Sequence, residues 1–379
     1  MYMKIQDTKV KVAVAMSGGV DSSVAALLLK QKGYKVTGIT MKIWDCGEER
    51  SAAGAVRSKL CCSLRDMDDA RAVAAKLDIP HYVVDIRKEF EQRVVRYFCE
   101  NYSRGVTPNP CVVCNKHIKF GLLLDKIKAM GFTYLATGHY AQVLSETVDG
   151  KVVYNLTRGV DEHKDQSYWL YELNQKTLPY ILLPLGGFTK TGVRICAKNA
   201  GLPVAEKKES QEVCFVTGKK YAEFVVEWLT KNETKPVRVV PGDIINTSGK
   251  VLGKHKGILY YTIGQRQGLG VSAKKPLYVT KILVDKNMVV VGDETELYTS
   301  QVDVCNINWI VKHPVLLPLK CMAKIRYQHK LAGCVISTLE NDSRKLRLKF
   351  DEPQRAVTPG QSAVFYSLDG NTVLGGGII

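Results

Sequence analysis

Along its first half the chain alternates short apolar runs with stretches in which apolar residues return every three or four positions. Val10 to Met16, Lys35 to Thr40, His81 to Ile86 and Tyr134 to Thr137 are brief and apolar, and they predict strands. Between them, Ser22 to Lys32 is closed by Gly33, Leu64 to Leu77 sets Leu64, Met67, Ala70, Ala74 and Leu77 on one helical face, and Lys116 to Met130 ends at Gly131. Strand and helix in this alternation predict a doubly wound parallel α/β sheet, whose ligands collect at the carboxyl ends of the strands.

After about Gly201 the pattern shifts to short β runs punctuated by Pro and Gly. Val279 to Val284, Met288 to Val291, Cys321 to Tyr327, Gly333 to Thr338 and Leu346 to Phe350 recur at the spacing of an antiparallel barrel or sandwich. Three units are expected: an α/β domain over residues 1–208, a small mixed module over 209–275, and a β-barrel over 276–379. The total of 379 residues is enough for two to three domains with proper cores.

Charge adds a partner to this outline. Lys and Arg number 54 against 37 Asp and Glu, a formal net charge of +17, which points to a polyanion rather than to a small molecule alone. No arginine-rich tail carries that charge, so it belongs to folded surfaces. No apolar run approaches the roughly 18 residues of a membrane span, and the N-terminus enters a strand without a signal-like apolar segment. A cytoplasmic protein is expected, with no membrane partner. Eleven cysteines in such a chain read as reduced thiols, some of them chemical, rather than as a disulfide framework.

Three segments hold the candidate chemistry. Ser17-Gly18-Gly19-Val20-Asp21-Ser22-Ser23 follows a predicted strand and opens a predicted helix. Adjacent glycines let successive N–H groups converge on an anion at a helix N-terminus, and Ser17, Ser22 and Ser23 can add hydroxyl donors. The loop has no lysine, so it is not the P-loop of γ-phosphoryl transfer. Its S-G-G-x-D-S pattern resembles the pyrophosphate loop of the N-type ATP pyrophosphatases, which attack the α-phosphorus and release pyrophosphate. The second segment, Thr107-Pro108-Asn109-Pro110-Cys111-Val112-Val113-Cys114-Asn115-Lys116, sets a thiol just before a predicted helix. There the helix dipole, Lys116 and His117 favour a thiolate. Alone, C-x-x-C has several readings, half a zinc site, a dithiol or two ligands of an iron–sulfur cluster, and with no second C-x-x-C and scattered His residues structural zinc is the least favoured. The third, Ser210 to Val216, holds Cys214 and is flanked by Lys207 and Lys208.

Taken with Ala136-Thr137-Gly138-His139-Tyr140, Lys164-Asp165-Gln166-Ser167-Tyr168, Thr262 to Arg266, Arg326-Tyr327, Val357 to Gln361 and Gly375-Gly376-Gly377, the chain resembles the tRNA-specific 2-thiouridylases nearly end to end. The resemblance implies sulfur insertion at C2 of the wobble uridine in tRNAs for Lys, Glu and Gln, with ATP and Mg2+ adenylating O2 of that base. It implies that Cys214 carries a persulfide sulfur delivered by a cysteine desulfurase or a relay protein, with Cys114 as its partner thiol, and that Asp21 acts in catalysis. ATP contacts are implied at Ala15, Met16, Ser17, Gly18, Gly19, Val20, Asp21, Ser22, Met41 and Gly138. Asn109, Pro110 and Cys111 are implied at the target base, and His139, Lys164, Asp165, Gln166, Arg326, Tyr327 and Gln361 at the tRNA.

One departure matters. The family commonly has Asp where this chain has Cys111, so Cys111, Cys114 and Cys214 could together ligate an iron–sulfur cluster that activates sulfide; the persulfide route is the preferred expectation. Cys46, Cys61 and Cys62 have no assigned role. Competing classes are separable by their needs. An argininosuccinate- or GMP-synthase-like ligase needs the loop but not Cys114 and Cys214, a tRNA-lysidine synthetase adenylates a base without sulfur, and a purely RNA-binding protein has no use for the loop.

Overall fold

The computed structural model describes residues 9–44, 64–209, 213–216, 220–232, 239–312, 315–339 and 342–379. Cys46, Cys61, Cys62 and the Ser210-Gln211-Glu212 part of the third segment lie outside the described residues.

The strands β1 (Lys11–Ala15), β2 (Lys35–Lys42), β3 (His81–Asp85) and β4 (Tyr134–Ala136) lie where the apolar runs predict them. A hairpin of β5 (Ala141–Val148) and β6 (Lys151–Arg158) follows, and β7 (Ile181–Leu182) completes a five-stranded sheet in the order β3-β2-β1-β4-β7 with every pair parallel. Helices cover both faces, so the central strand β1 is apolar on both. Val12 and Val14 pack with α1 (Val20–Gln31) and α2 (Leu64–Lys76), while Ala13 and Ile39 face Phe120, Leu123, Leu124 and Ile127 on the opposite side.

That opposite side is covered by one helical run, residues 110–129. It begins as an α-helix over Pro110–Cys114, widens to a π-helix over Asn115–Leu123 and ends as an α-helix over Leu124–Ala129. The run starts six residues before the predicted Lys116, because Asn109 caps it by accepting from Val112 N at 3.4 Å and Pro110 fits the first helical position. Both cysteines of C-x-x-C are therefore inside the helix rather than ahead of it.

Strands β8 (Gly242–Asn246), β9 (Val251–His255), β10 (Tyr278–Leu283) and β11 (Met288–Gly292) form a four-stranded sheet in the order β10-β11-β8-β9. The runs at 279–284 and 288–291, expected in the C-terminal barrel, belong here instead. β11 pairs parallel to β8, and Val279, Val289 and Val291 fill the same core as Ile244, so the central module reaches beyond the expected limit at 275. The remaining strands, β12 (Tyr298–Trp309), β13 (Leu319–Lys324), β14 (Ala332–Leu339), β15 (Asp342–Arg355), β16 (Ser362–Tyr366) and β17 (Val373–Ile378), close an antiparallel six-stranded barrel.

Barrel and α/β domain share one apolar core: Val364, Tyr366 and Val373 pack in the cluster that holds Ala13, Tyr168 and Tyr171. Asp165 fixes the seam. Its carboxylate, 2% exposed, accepts from Gly159 N at 3.2 Å and from Ser167 N and Oγ at 3.1 Å, pairs with Arg158 at 3.1 Å, and faces Lys324 of β13 at 3.7 Å. Tyr168 donates its hydroxyl to Ser362 O at 2.9 Å, and Asn308 donates to Tyr171 O at 2.7 Å. Removing one member of such a buried set leaves charges uncompensated. Asp165→Asn is expected to destabilise the protein by about 3 kcal/mol and to separate barrel melting from that of the α/β domain in calorimetry. A single transition at the parent temperature would contradict this role.

Candidate active site

The phosphate loop sits at the carboxyl end of β1, where the sheet order reverses between β1 and β4. Gly18 has φ +71°, and a Cβ there would lie 2.1 Å from Asp66 O, so only glycine lets the loop approach α2 this closely. The serines divide their work differently from the sequence expectation. Ser23 is fully buried and donates to Gly19 O at 2.8 Å, and Ser22 Oγ donates to the same carbonyl at 3.2 Å and accepts from Ser17 N at 3.1 Å. Those two hydroxyls brace the loop. Ser17 is the exposed one.

Two lysines hold the loop's surroundings: Lys207, read from the sequence only as a flank of the Cys214 segment, and Lys190, which that reading missed. Lys207 donates to Gly18 O at 3.0 Å and pairs with Asp66 at 2.5 Å and Asp69 at 2.6 Å, tying loop to α2. Lys190, buried at the start of helix Lys190–Asn199, reaches both oxygens of Asp21 at 2.8 Å and Glu209 at 2.6 Å. Tyr140 donates to Asp21 Oδ1 at 2.7 Å, and Lys164, expected at the tRNA, pairs with Glu209 at 2.7 Å. A cation in the first turn of a helix opposes the helix dipole, which was the available sequence signal for Lys190.

The loop and the thiols meet through the turn after β4. A Cβ on Gly138 would lie 2.8 Å from Asp21 C and Ser22 N, so the turn rests directly on the loop backbone. The next residue, His139, points the other way. Its Nδ1 lies 2.7 Å from Thr137 Oγ1 and its Nε2 lies 3.4 Å from Lys119 Nζ. An ammonium only donates, so Nε2 accepts, and the ring proton sits on Nδ1 and is donated to Thr137. Burial, assisted by the Lys119 charge, holds the His139 pKa well below its usual 6.5.

Lys119 shares its helix with Cys111 and Cys114. Loss of water in the cleft pushes the Cys111 thiol up to about 11, although the residue is exposed at the mouth, and Lys119 opposes that rise. Burial also raises the Cys114 thiol, again against Lys119. This corrects the expectation of a dipole-favoured thiolate: Cys114 lies a full turn inside the helix, and desolvation outweighs the dipole. Cys114 and Cys214 border one apolar cluster, in which the neighbouring Phe215 packs on Phe90, Phe98 and Phe224. Among the described residues no group of three or more His, Cys, Asp or Glu side chains is arranged to hold a metal, so Cys111, Cys114 and Cys214 do not form a ligand set here.

The remaining expected residues separate by environment. Met16 is buried, its N–H donating to Ile39 O at 2.8 Å, and Ala15, Val20 and Met41 support the loop from β1, α1 and β2. Asp165 is consumed by the seam described above and has no side-chain oxygen to offer RNA. Gln166 Oε1 accepts from Tyr140 N at 3.1 Å, and Gln361 Nε2 donates to Thr107 O at 3.0 Å, so both hold the backbone beside the cleft. Arg326 and Tyr327 follow β13 and remain partly exposed. Tyr327 stacks on Trp169 with centroids 3.9 Å apart, and Asn115 donates to Trp169 O at 3.0 Å, which carries the barrel edge to the thiol helix.

Fold and site together define a nucleotide-binding α/β domain of the HUP class with a thiol cleft and an appended barrel. Family models described as the tRNA methyl transferase HUP domain, the tRNA methyl transferase PRC-barrel domain and the aminomethyltransferase beta-barrel domain match residues 10–218, 232–293 and 299–379. The chain is 48% identical over 373 residues to the tRNA-specific 2-thiouridylase MnmA of Acetivibrio thermocellus, covering 98% of this chain and 99% of that one. It is 46% identical over 372 residues to MnmA of Clostridium perfringens, with coverage of 98% and 99%, and 45% identical over 369 residues to MnmA of Clostridioides difficile, with coverage of 97% and 98%. The chain belongs to the tRNA-specific 2-thiouridylase family. No helix among the described residues is long and apolar enough to cross a membrane.

Burial holds the His139 pKa well below its usual value, and partial loss of water lowers those of His81, His117 and His329. As pH falls through about 6.5 the unfolded chain takes up protons that these rings in the folded state do not, so stability is lost on acidification. The melting temperature is expected to fall between about pH 7 and pH 5, and His139→Gln to reduce that slope. A melting temperature that rises over this interval would contradict the burial of the His139 ring in its neutral form.

Proposed function

We propose that this enzyme uses ATP to adenylate O2 of the wobble uridine of tRNA and replaces that oxygen with sulfur. The observation that carries the reading is the chain of contacts from a lysine-free phosphate loop through Gly138 and His139 to Lys119, whose charge acts on Cys111 and Cys114. O2 attacks the α-phosphorus, the bond to pyrophosphate breaks, and N3 gives its proton to water. Mg2+ would enter with ATP, held by the nucleotide's phosphates and the Asp21 carboxylate, and would neutralise the departing pyrophosphate. Lys190 would then bind phosphate oxygens in place of Asp21.

The sulfur step assigns Cys214 as persulfide carrier, loaded by a cysteine desulfurase or relay protein. Its terminal sulfur attacks C2, and AMP leaves with O2 and the electron pair. Cys114 Sγ then attacks Cys214 Sγ as its thiol proton passes to N3 of the departing base, the S–S bond breaks toward the base, and a Cys114–Cys214 disulfide remains for a cellular thiol to reduce. Because the three thiols do not gather as a ligand set, no step runs through a cluster. Methyl transfer has no use for a pyrophosphate loop or for paired thiols. The net charge of +17 suits tRNA, with Arg326 and the Trp169–Tyr327 stack beside the cleft for a base flipped out of the anticodon loop.

Mass spectrometry of nucleosides from tRNA incubated with the enzyme, ATP and a persulfide-loaded desulfurase tests this. The parent protein is expected to yield 2-thiouridine. Asp21→Ala should lose both pyrophosphate release and product, and Cys214→Ser should lose product while still releasing pyrophosphate. Full thiolation by Cys214→Ser would overturn the persulfide route.

A further inference from the structure

Lys119 stands apart from the other site lysines. Lys190, Lys207 and Lys164 each have a carboxylate within 2.8 Å, whereas Lys119, half-buried, has no carboxylate partner among the described residues. Its hydrogen-bond partner is the neutral ring of His139, at 3.4 Å. An ammonium withdrawn from water without a counter-charge is costly, and the cost is recovered when an anion enters. Lys119 is close enough to Cys111 and Cys114 for its charge to act on both thiols, and His139 is chained to Gly138, which rests on the backbone of Asp21 and Ser22. The free positive charge thus lies between the phosphate loop and the sulfur chemistry.

We propose that Lys119 is a catalytic residue whose ammonium binds a nonbridging α-phosphate oxygen of the nucleotide as O2 of the base attacks, and keeps that contact until AMP departs. The inference rests on the adenylation reading above. In the first step the O2–Pα bond forms, the Pα–O bond to pyrophosphate breaks with its electron pair on pyrophosphate, and the N3 proton goes to water. Charge on the α-phosphate oxygens is greatest at the pentacoordinate stage, which a fixed cation stabilises more than it stabilises bound ATP. In the second step the same contact stabilises the phosphate of AMP as the C2–O2 bond breaks. His139 is the positioning residue: its Nε2 lone pair aims the ammonium, and its Nδ1 proton is anchored on Thr137.

The test compares Lys119→Met, Lys119→Arg and parent enzyme for tRNA-dependent release of pyrophosphate, with melting temperature as a control. Lys119→Met is expected to lower kcat by about 100-fold or more with KM for ATP changed less than about threefold, and Lys119→Arg to recover most of the loss. A Met variant within threefold of the parent overturns the proposal. So does a loss confined to KM, or a loss that Arg fails to rescue and that follows a drop in melting temperature, since these are the marks of ground-state binding and of packing. If the parent enzyme itself releases no pyrophosphate with tRNA, the adenylation reading falls with it; if the parent does and the Met variant does equally, only the role of Lys119 falls.

Discussion

Because β1 and β4 are parallel neighbours yet begin opposite halves of the sheet's winding, the chain leaves both at the same end and in opposite directions. The turn after β1 becomes the phosphate loop, and the turn after β4 becomes Gly138 and His139. The two turns touch because Gly138 has no side chain. The helical run 110–129 packs across the same strands from the other face, which brings its thiols to that end of the sheet. The glycine-rich loop and the thiol-bearing helix are therefore fixed to the same end of the sheet by a strand pairing.

Electrostatics then divide the point in two. On the loop side, Lys190 and Lys207 are saturated by Asp21, Glu209, Asp66 and Asp69, an arrangement that holds the loop's shape and keeps a cation ready beside it. On the thiol side, burial raises both Cys111 and Cys114, and the opposing charge comes from Lys119. A resting site with protonated thiols and a Lys119 ammonium that has no carboxylate partner among the described residues is stable to adventitious oxidation and is completed by an anionic substrate.

Much of this was legible in the sequence, since periodicity located β1 to β4, α1 and α2, and the S-G-G-x-D-S pattern pointed to the α-phosphate by its resemblance to the loop of the N-type ATP pyrophosphatases. What escaped did so for physical reasons. The 110–129 helix starts at Pro110 because of a cap formed by Asn109, a local hydrogen bond that a search for apolar periodicity passes over. Strands β10 and β11 look like any other apolar run, and only their pairing with β8 assigns them to the central module. The family resemblance implies Asp165 at the tRNA, yet its partners Arg158 and Lys324 come from two domains. Lys119 and Lys190 drew no notice in the sequence, because what distinguishes them is the charge, or lack of it, brought by distant parts of the chain.

The central claim is that the loop transfers AMP, not phosphate, to a base in tRNA. It is tested most directly by incubating Cys214→Ser with tRNA and ATP labelled at the α-phosphorus, so that the adenylated base forms but cannot receive sulfur. The account predicts label on the tRNA, released as AMP by mild hydrolysis and matched by pyrophosphate in equal amount. Label on the tRNA from the γ-phosphorus instead, or pyrophosphate released with none of the α-label ever reaching the tRNA, would contradict it.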